Sequence, residues 1–288
     1  MIPSTFSIAA VDGATGDVGI AVQSKFLSVG AMVPWVRAGV GAVATQAFAN
    51  TTYGPRGLEL LAGGAEPEHV LRVLTEDDPG RDDRQAGVVD VRGRAATFTG
   101  SRCIAYAGGL CGDGFAAQGN CLGSPAVVDA LASAFTSARG HLADRLVAAL
   151  RAAQAAGGDK RGQQSAALII ERDGGGYAGF NDRSVDLRVD DHAAPIEELA
   201  RLLDMHKLYF FAAAREDVLP IDAALGREIV AELVRAGALD AAPQSFDETA
   251  RTALVRFMHV ENLENRVRDD GAIDRQTLEY LRAFSPGA

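Results

Sequence analysis

The residues best placed for chemistry lie in "IPSTFSIAAVDGATGDVGIAVQSKF", where Ser4 and Thr5 head a short apolar run. A threonine hydroxyl becomes a useful nucleophile only when a base removes its proton. A free α-amine on the same residue, with a reference pKa of about 7.7–8.0, can be that base. This chemistry requires Thr5 to begin the mature chain, so the Ser4–Thr5 bond must be cut. Excision of the initiator methionine cannot do this, because Ile2, Pro3 and Ser4 also precede Thr5. The competing reading is structural, since β-branched residues favour strands for their own reasons.

Four further groups of polar residues stand out. In "GVGAVATQAFAN", Thr45, Gln46 and Asn50 interrupt an apolar, glycine-rich run. Amide side chains of this kind can donate to an oxyanion or cap a strand-to-helix connection. In "AAQGNCLGSP", Asn120 ends a strand pattern and can offer its amide to a substrate carbonyl or shape a turn. Cys121 has no base beside it and reads as a small core residue. In "GGDKRGQQSAA", Asp159 and Arg161 can organise a site or pin the loop after a helix. In "DLRVDDH", Asp186, Arg188 and Asp190 suit a surface ion-pair stripe better than a metal site, because one histidine beside carboxylates is a weak ligand set.

These residues need elements to position them. "TFSIAAVD" and "DVGIAVQSKF" form a β-hairpin around "DGATGD". Alternation places Thr5, Ser7, Ala9 and Val11 on one face. If Val11 pairs with Val18, Thr5 lies opposite Ser24; a slip of one brings Gln23 or Lys25 there instead. Further strand follows in "VPWVRAGVGAVATQAFAN", with glycines where backbones approach closely, then helices in "GPRGLELLAGG" and "EPEHVLRVLTEDD" and strands in "RQAGVVDVRGRAATFTG" and "GFAAQGNCLG". Two helices come next, the first expected to start with Ser124 as N-cap and Pro125 at its first position. Two strands and the amphipathic helix "PIEELARLLDMHKLYFFAAA" complete this part. Runs of strands alternating with runs of helices favour a layered sandwich over a strict βαβ repeat. After about Ala214 the strand signals vanish and helical patterns take over. A boundary near Glu216 divides 1–214 from an all-α piece, 215–288.

Composition narrows the function classes. The chain has 288 residues, 48% hydrophobic and 23% charged, with a formal charge of −10 and a pI near 5.0. Nucleic-acid binding by counterion release is disfavoured, and no run approaches the ~20 apolar residues of a membrane helix. The start lacks a signal-peptide pattern, so the expected location is the cytoplasm. Cys103, Cys111 and Cys121 suggest neither a disulfide framework nor a zinc site. "RDGGGYAG" matches no nucleotide-binding loop, and no cofactor is expected.

In the order given, "TFSIAAVD", "GIAVQSKFLSVGAMVPWVRAGVGAVATQAFAN", "YGPRGLELL", "RQAGVVD", "QGN", "AAQAAGGDKRGQQSAAL" and "DLRVDDH" resemble the bacterial family called domain of unknown function 1028. That family is assigned to the N-terminal-nucleophile (Ntn) hydrolases. The end of the chain, with "LVRFMHVENLENRV" and "GAIDRQTLEYLR", resembles a domain described as peptidoglycan-binding, a ligand that fits poorly with a chain lacking a signal peptide. The resemblance implies an α+β fold, a four-layer αββα sandwich, with the small helical domain appended. It implies an amidohydrolase that cleaves a small amide or peptide-like C–N bond through Thr5. Ser7, Ser24, Lys25, Thr45, Gln46, Asn120 and Asp159 are then the substrate-binding or oxyanion candidates, with no metal. A small-molecule amide is the expected partner and a homodimer the default assembly. Two rivals are a non-catalytic binding protein on the same scaffold and an enzyme that uses the pocket without an N-terminal nucleophile.

Overall fold

A computed structural model describes residues 5–285; the Ser4–Thr5 bond, on which the nucleophile argument turns, lies at the edge of that range and Ser4 outside it. The fold is mixed, with antiparallel sheets and eight α-helices among the described residues. It divides into two units, residues 1–203 and 204–288.

In the first unit, β1 (Thr5–Asp12) and β2 (Asp17–Ser24) form the expected hairpin. Its turn closes because Asp12 Oδ1 accepts from Ala14 N at 3.0 Å and Gly16 takes a φ of 78°, a conformation glycine adopts without strain. The register is Val11 opposite Val18 and Thr5 opposite Ser24. Next come β3 (Pro34–Arg37), β4 (Gly41–Ala47), α1 (Tyr53–Ala62), α2 (Pro67–Glu76), β5 (Arg84–Asp90) and β6 (Ala95–Thr99). They are followed by β7 (Gly108–Gly112), β8 (Phe115–Asn120), α3 (Ala126–Ser137), α4 (Leu142–Ala155), β9 (Ser165–Glu171), β10 (Arg183–Val189) and α5 (Pro195–Phe210).

Six strands form one sheet in the order β10-β9-β2-β1-β8-β7, and β3-β4-β5-β6 form a second. The face of the first sheet that carries Ala9, Val11, Ile20 and Val22 packs on the face of the second that carries Ala42, Ala44 and Val89. On the other side of the second sheet, Val43, Ala86 and Val88 meet Leu58, Leu61, Val70 and Leu74 of α1 and α2. Helices α3 and α4 lie against the six-stranded sheet, where Phe115 meets Phe135 with ring centroids 5.4 Å apart. Each Val or Ile fully buried between the layers contributes roughly 1.5–3 kcal/mol.

One local expectation changes, and one helix cap is new. Helix α3 begins at Ala126 with Pro125 as its N-cap and no side-chain cap bond, so Ser124 lies one residue too early. His141 caps α4 through its ring nitrogen, which accepts from Ala143 N at 3.2 Å.

The second unit holds the end of α5, then β11 (Val218–Pro220), α6 (Ala223–Arg235), α7 (Glu248–Val260), β12 (Ala272–Asp274) and α8 (Arg275–Ala283). It is not all-α: β11 and β12 pair as a small antiparallel ribbon. Three-residue strands are too short to show alternation, which is why the sequence reads as purely helical here. The division inside α5 falls earlier than Glu216, because Leu208 and Tyr209 at the end of that helix pack into the second core. Arg266, 5% exposed, ties this core together. It donates to Asp274 Oδ1 at 2.7 Å, Gln276 Oε1 at 2.7 Å, the Lys207 carbonyl at 2.8 Å, the Phe211 carbonyl at 3.1 Å and the Leu208 carbonyl.

Candidate functional site

The inter-sheet layer changes character along β1. From Ala9 to Val11 its inward face is apolar, but at Thr5 and Ser7 it turns polar, and both residues are fully buried. The neighbouring strands turn polar at the same end. Ser24 faces Thr5 from β2, Asn120 is opposite Thr5 and Gln118 opposite Ser7 on β8, and Gln46 and Gln85 come from the facing sheet. All are 0% exposed. Buried polar groups carry a desolvation cost unless they find partners, so the bonds in this cluster decide its structure.

Thr5 Oγ1 donates to Ser24 Oγ at 3.1 Å. Ser7 Oγ donates to Gln46 Oε1 at 2.6 Å and accepts from Gln118 Nε2 at 2.7 Å. Gln46 Nε2 donates to the Thr5 carbonyl at 3.3 Å and to Gln85 Oε1 at 2.9 Å. An amide nitrogen has two protons, so Gln46 spends both on positioning and has none left for an oxyanion. Gln85 is the hub: its Oε1 also accepts from Asn120 Nδ2 at 3.0 Å. Its Nε2 faces the Gly119 carbonyl at 2.8 Å, Thr99 Oγ1 at 3.0 Å and the Gly108 carbonyl at 3.2 Å.

Gln118 is not fully satisfied, for its Oε1 is buried with no hydrogen-bond partner. It lies over Gly87, where an added Cβ would sit 2.0 Å from that oxygen. Glycine at position 87 is therefore what gives the Gln118 amide its space.

The remaining candidates sit around this cluster. Asp159, 4% exposed, lies at the loop end beside Ser24. Its Oδ2 accepts from Lys25 N at 3.0 Å and from the Arg161 guanidinium at 3.1 Å, and its Oδ1 from Arg161 N at 2.8 Å. The Lys25 side chain is exposed and its Nζ donates to the Gln163 carbonyl at 3.3 Å, outside the buried cluster. Thr45 is on the opposite face of β4 from Gln46, because strand neighbours alternate, and its hydroxyl donates to the Asn50 carbonyl at 3.1 Å.

Asn50 belongs to a separate staple at the start of α1, donating to Asp78 Oδ2 at 3.1 Å. Tyr53 Oη and Arg84 Nε reach the same oxygen at 3.0 and 2.9 Å. Hydrogen bonding from Arg84 holds the Asp78 carboxyl well below the usual range despite partial burial, while burial and Asp78 push the Tyr53 phenol up. Asp186 pairs with Arg183 and Arg188 on the exposed edge strand, at 2.9 and 2.8 Å. Among the described residues no group of three His, Cys, Asp or Glu could hold a metal ion, and no helix is long and apolar enough to cross a membrane.

Gln85, Gln118, Thr99 and Ser165 are missing from the candidates drawn from sequence. Ser165 Oγ donates to the Phe26 carbonyl at 2.5 Å and accepts from Val29 N at 3.1 Å, holding the loop after β2. The available signal was a polar side chain on the inward half of an alternating strand: Gln118 two residues before Asn120, and Gln85 two before Gly87.

Residues 5–199 match the family described as "Family of unknown function (DUF1028)". The chain belongs to this family. A crystal structure of a DUF1028 protein from Silicibacter pomeroyi agrees, at 33% identity and a TM-score of 0.66, covering 72% of this chain and 91% of that one. The buried polar cluster thus lies wholly within the DUF1028 part. Residues 209–281 match a second family, described as "Putative peptidoglycan binding domain". That segment carries an open pocket of about 250 Å³ lined by residues that include Ile221, Phe246, Leu254 and Met258 together with Arg251 and Arg268. No curated protein matches the chain.

Proposed function

We propose that the first unit is an Ntn-type amidohydrolase, its stacked helices and sheets being the four-layer αββα sandwich of that superfamily. The observation that carries the reading is the position of Thr5. It stands at the polar end of β1, its hydroxyl on Ser24, its carbonyl held by Gln46, and Asn120 opposite it on β8. A strand end between two sheets is rigid, and rigidity is what a nucleophile aimed at one carbonyl carbon needs.

Cleavage of the Ser4–Thr5 bond frees the Thr5 α-amine. That amine takes the Oγ1 proton as Oγ1 attacks the carbonyl carbon of a small amide. The carbonyl oxygen becomes an oxyanion, for which the Asn120 amide is the proposed donor. Collapse breaks the C–N bond, the ammonium returns its proton to the departing amine, and a Thr5 ester remains. Water, deprotonated by the same amine, hydrolyses the ester and restores Thr5. Gln46 and Gln85 position these groups and touch no reacting atom. The proposal places the protein in the cytoplasm, acting as a homodimer on a small-molecule substrate.

The complete burial of Thr5 favours a second reading, a scaffold that binds a partner without catalysis. Intact mass of the purified chain separates the two. Loss of residues 1–4 on incubation, abolished in Thr5→Ala, supports the hydrolase. A full-length mass that persists through long incubation, with no amide turnover, supports the scaffold.

A further inference from the structure

We infer that the amide substrate carries a carboxylate, held by the ammonium groups of Lys25 and Lys160 at the rim of the polar cluster. This rests on the Thr5 site being the place where substrate binds, though not on Thr5 being catalytic.

The chain has 28 basic residues, and only Lys25, Lys160 and Lys207 are lysines; the rest are arginines. Both lysines of the first unit stand immediately beyond the buried polar cluster. Lys25 follows Ser24, the partner of Thr5. Lys160 follows Asp159, and its backbone N–H donates to the carbonyl of Cys121, the residue after Asn120, at 3.1 Å. Asp159 ties the two together, because its carboxylate receives the Lys25 backbone N–H. Both side chains are exposed. The two stems therefore leave one loop junction, next to the strand ends that carry Thr5 and Asn120.

Charge balance makes this junction unusual in a protein of net charge −10. Asp159 is the nearest acid by bonding, and its carboxylate is occupied by Arg161, with side-chain contacts of 3.1 and 3.3 Å. Among the described residues the lysine ammoniums meet backbone carbonyls: Lys25 Nζ the Gln163 carbonyl at 3.3 Å, Lys160 Nζ the Ala105 carbonyl at 3.1 Å. Neither pairs with a carboxylate among the described residues. An ammonium has three donors, so each of these has capacity left for a ligand. Lysine presents a compact, mobile charge, suited to gripping a small carboxylate that arrives and leaves, whereas arginine's planar fork is better matched to fixed pairing. A carboxylate gripped here orients the amide toward the strand ends. It also gives the entering anion an electrostatic attraction that the acidic remainder of the surface does not.

The test needs no turnover. The full chain labelled with 13C-lysine gives three Cε signals, assigned with Lys25→Gln, Lys160→Gln and Lys207→Gln. Titration with N-acetylglycine, which has an amide and a carboxylate, is expected to shift the Lys25 and Lys160 signals saturably and leave Lys207 in place. N-acetylglycinamide, the neutral match, should shift none of them. Lys25→Gln should weaken the response of Lys160 to N-acetylglycine roughly tenfold, as expected for loss of one charge-assisted hydrogen bond. Lys25→Arg should keep most of it. The inference is overturned if neither signal saturates, if the neutral compound acts equally, if Lys207 moves in parallel, or if inorganic phosphate binds where carboxylates do not. Failure of the hydrolase reading shows itself separately, as a full-length mass without turnover, and the titration in Thr5→Ala is expected to match that of the wild type.

Discussion

Two buried polar clusters in this chain differ in how fully they are satisfied. In the second unit, Arg266 faces two side-chain oxygens and three carbonyls, and Asp274 also accepts from Thr277 N at 3.1 Å and Thr277 Oγ1 at 2.7 Å. Every contact there ties one element to another: the end of α5, the start of α8, the loop before the ribbon. Between the sheets of the first unit the groups are neutral amides and hydroxyls, crowded at one end of strands that are otherwise apolar. One of them, Gln118 Oε1, is left without a partner. A saturated cluster stabilises the fold. One that keeps unspent polar capacity costs stability, and natural sequences retain such costs chiefly at sites of function.

The contrast can be broken by mutation, beginning with the largest effect. Arg266→Met leaves Asp274 buried without its counter-ion, and is expected to lower stability by about 3–5 kcal/mol, read by denaturant unfolding of the full chain. A loss below about 1 kcal/mol would remove the distinction between the clusters. Asp78→Asn tests the third polar group, the staple of Arg84, Tyr53 and Asn50. The folded-state pKa of Asp78 lies below its unfolded value near 3.9, so its contribution is present above that pH and is lost as pH falls through the folded pKa. Wild type should therefore lose stability on acidification below about pH 4, and Asp78→Asn should show a shallower loss.

Smaller effects follow in the inter-sheet cluster. Gly87→Ala pushes a methyl into Gln118 Oε1 and should destabilise by roughly 1–3 kcal/mol. The double variant with Gln118→Ala should recover part of that loss; full additivity would show that the two residues do not share the space. Smallest of all is Gln118→Leu. It removes a carbonyl oxygen that has no partner together with one hydrogen bond to Ser7, and stability should change by no more than about 1 kcal/mol. If it unfolds the protein instead, this cluster is as structural as the one around Arg266.

Much of the site was legible in the residues themselves. The turn "DGATGD" sets the hairpin, and alternation then carries Thr5 and Ser7 to one face. The pairing of Thr5 with Ser24 follows once Val11 meets Val18, but a slip of one residue reads equally well along the sequence, and only the folded hairpin shows which register holds. Asp159 was recognisable beside its Arg161 partner. Its grip on the Lys25 backbone, across 134 positions of chain, was not.

Thr45 and Gln46 show the limit of reading polar residues as a group. They are adjacent in sequence yet belong to different layers, Gln46 facing the other sheet and Thr45 facing the helices. Gln85 escaped notice because nothing near it in the sequence names its partners. Those are Gln46 and Asn120, carried on two different sheets.

By itself the sequence determined the hairpin, most of the order of strands and helices in the first unit, the family and the identity of Thr5 as the residue to ask about. Those are local properties, set by turn chemistry, periodicity and motif. The tertiary structure alone decided that Gln85 is the hub, that Gln46 has no proton to spare, that Gly87 makes room for Gln118 and that two lysines share one rim. Each of these depends on the packing of two sheets face to face. That packing brings together residues whose separation along the chain carries no information about their distance in space.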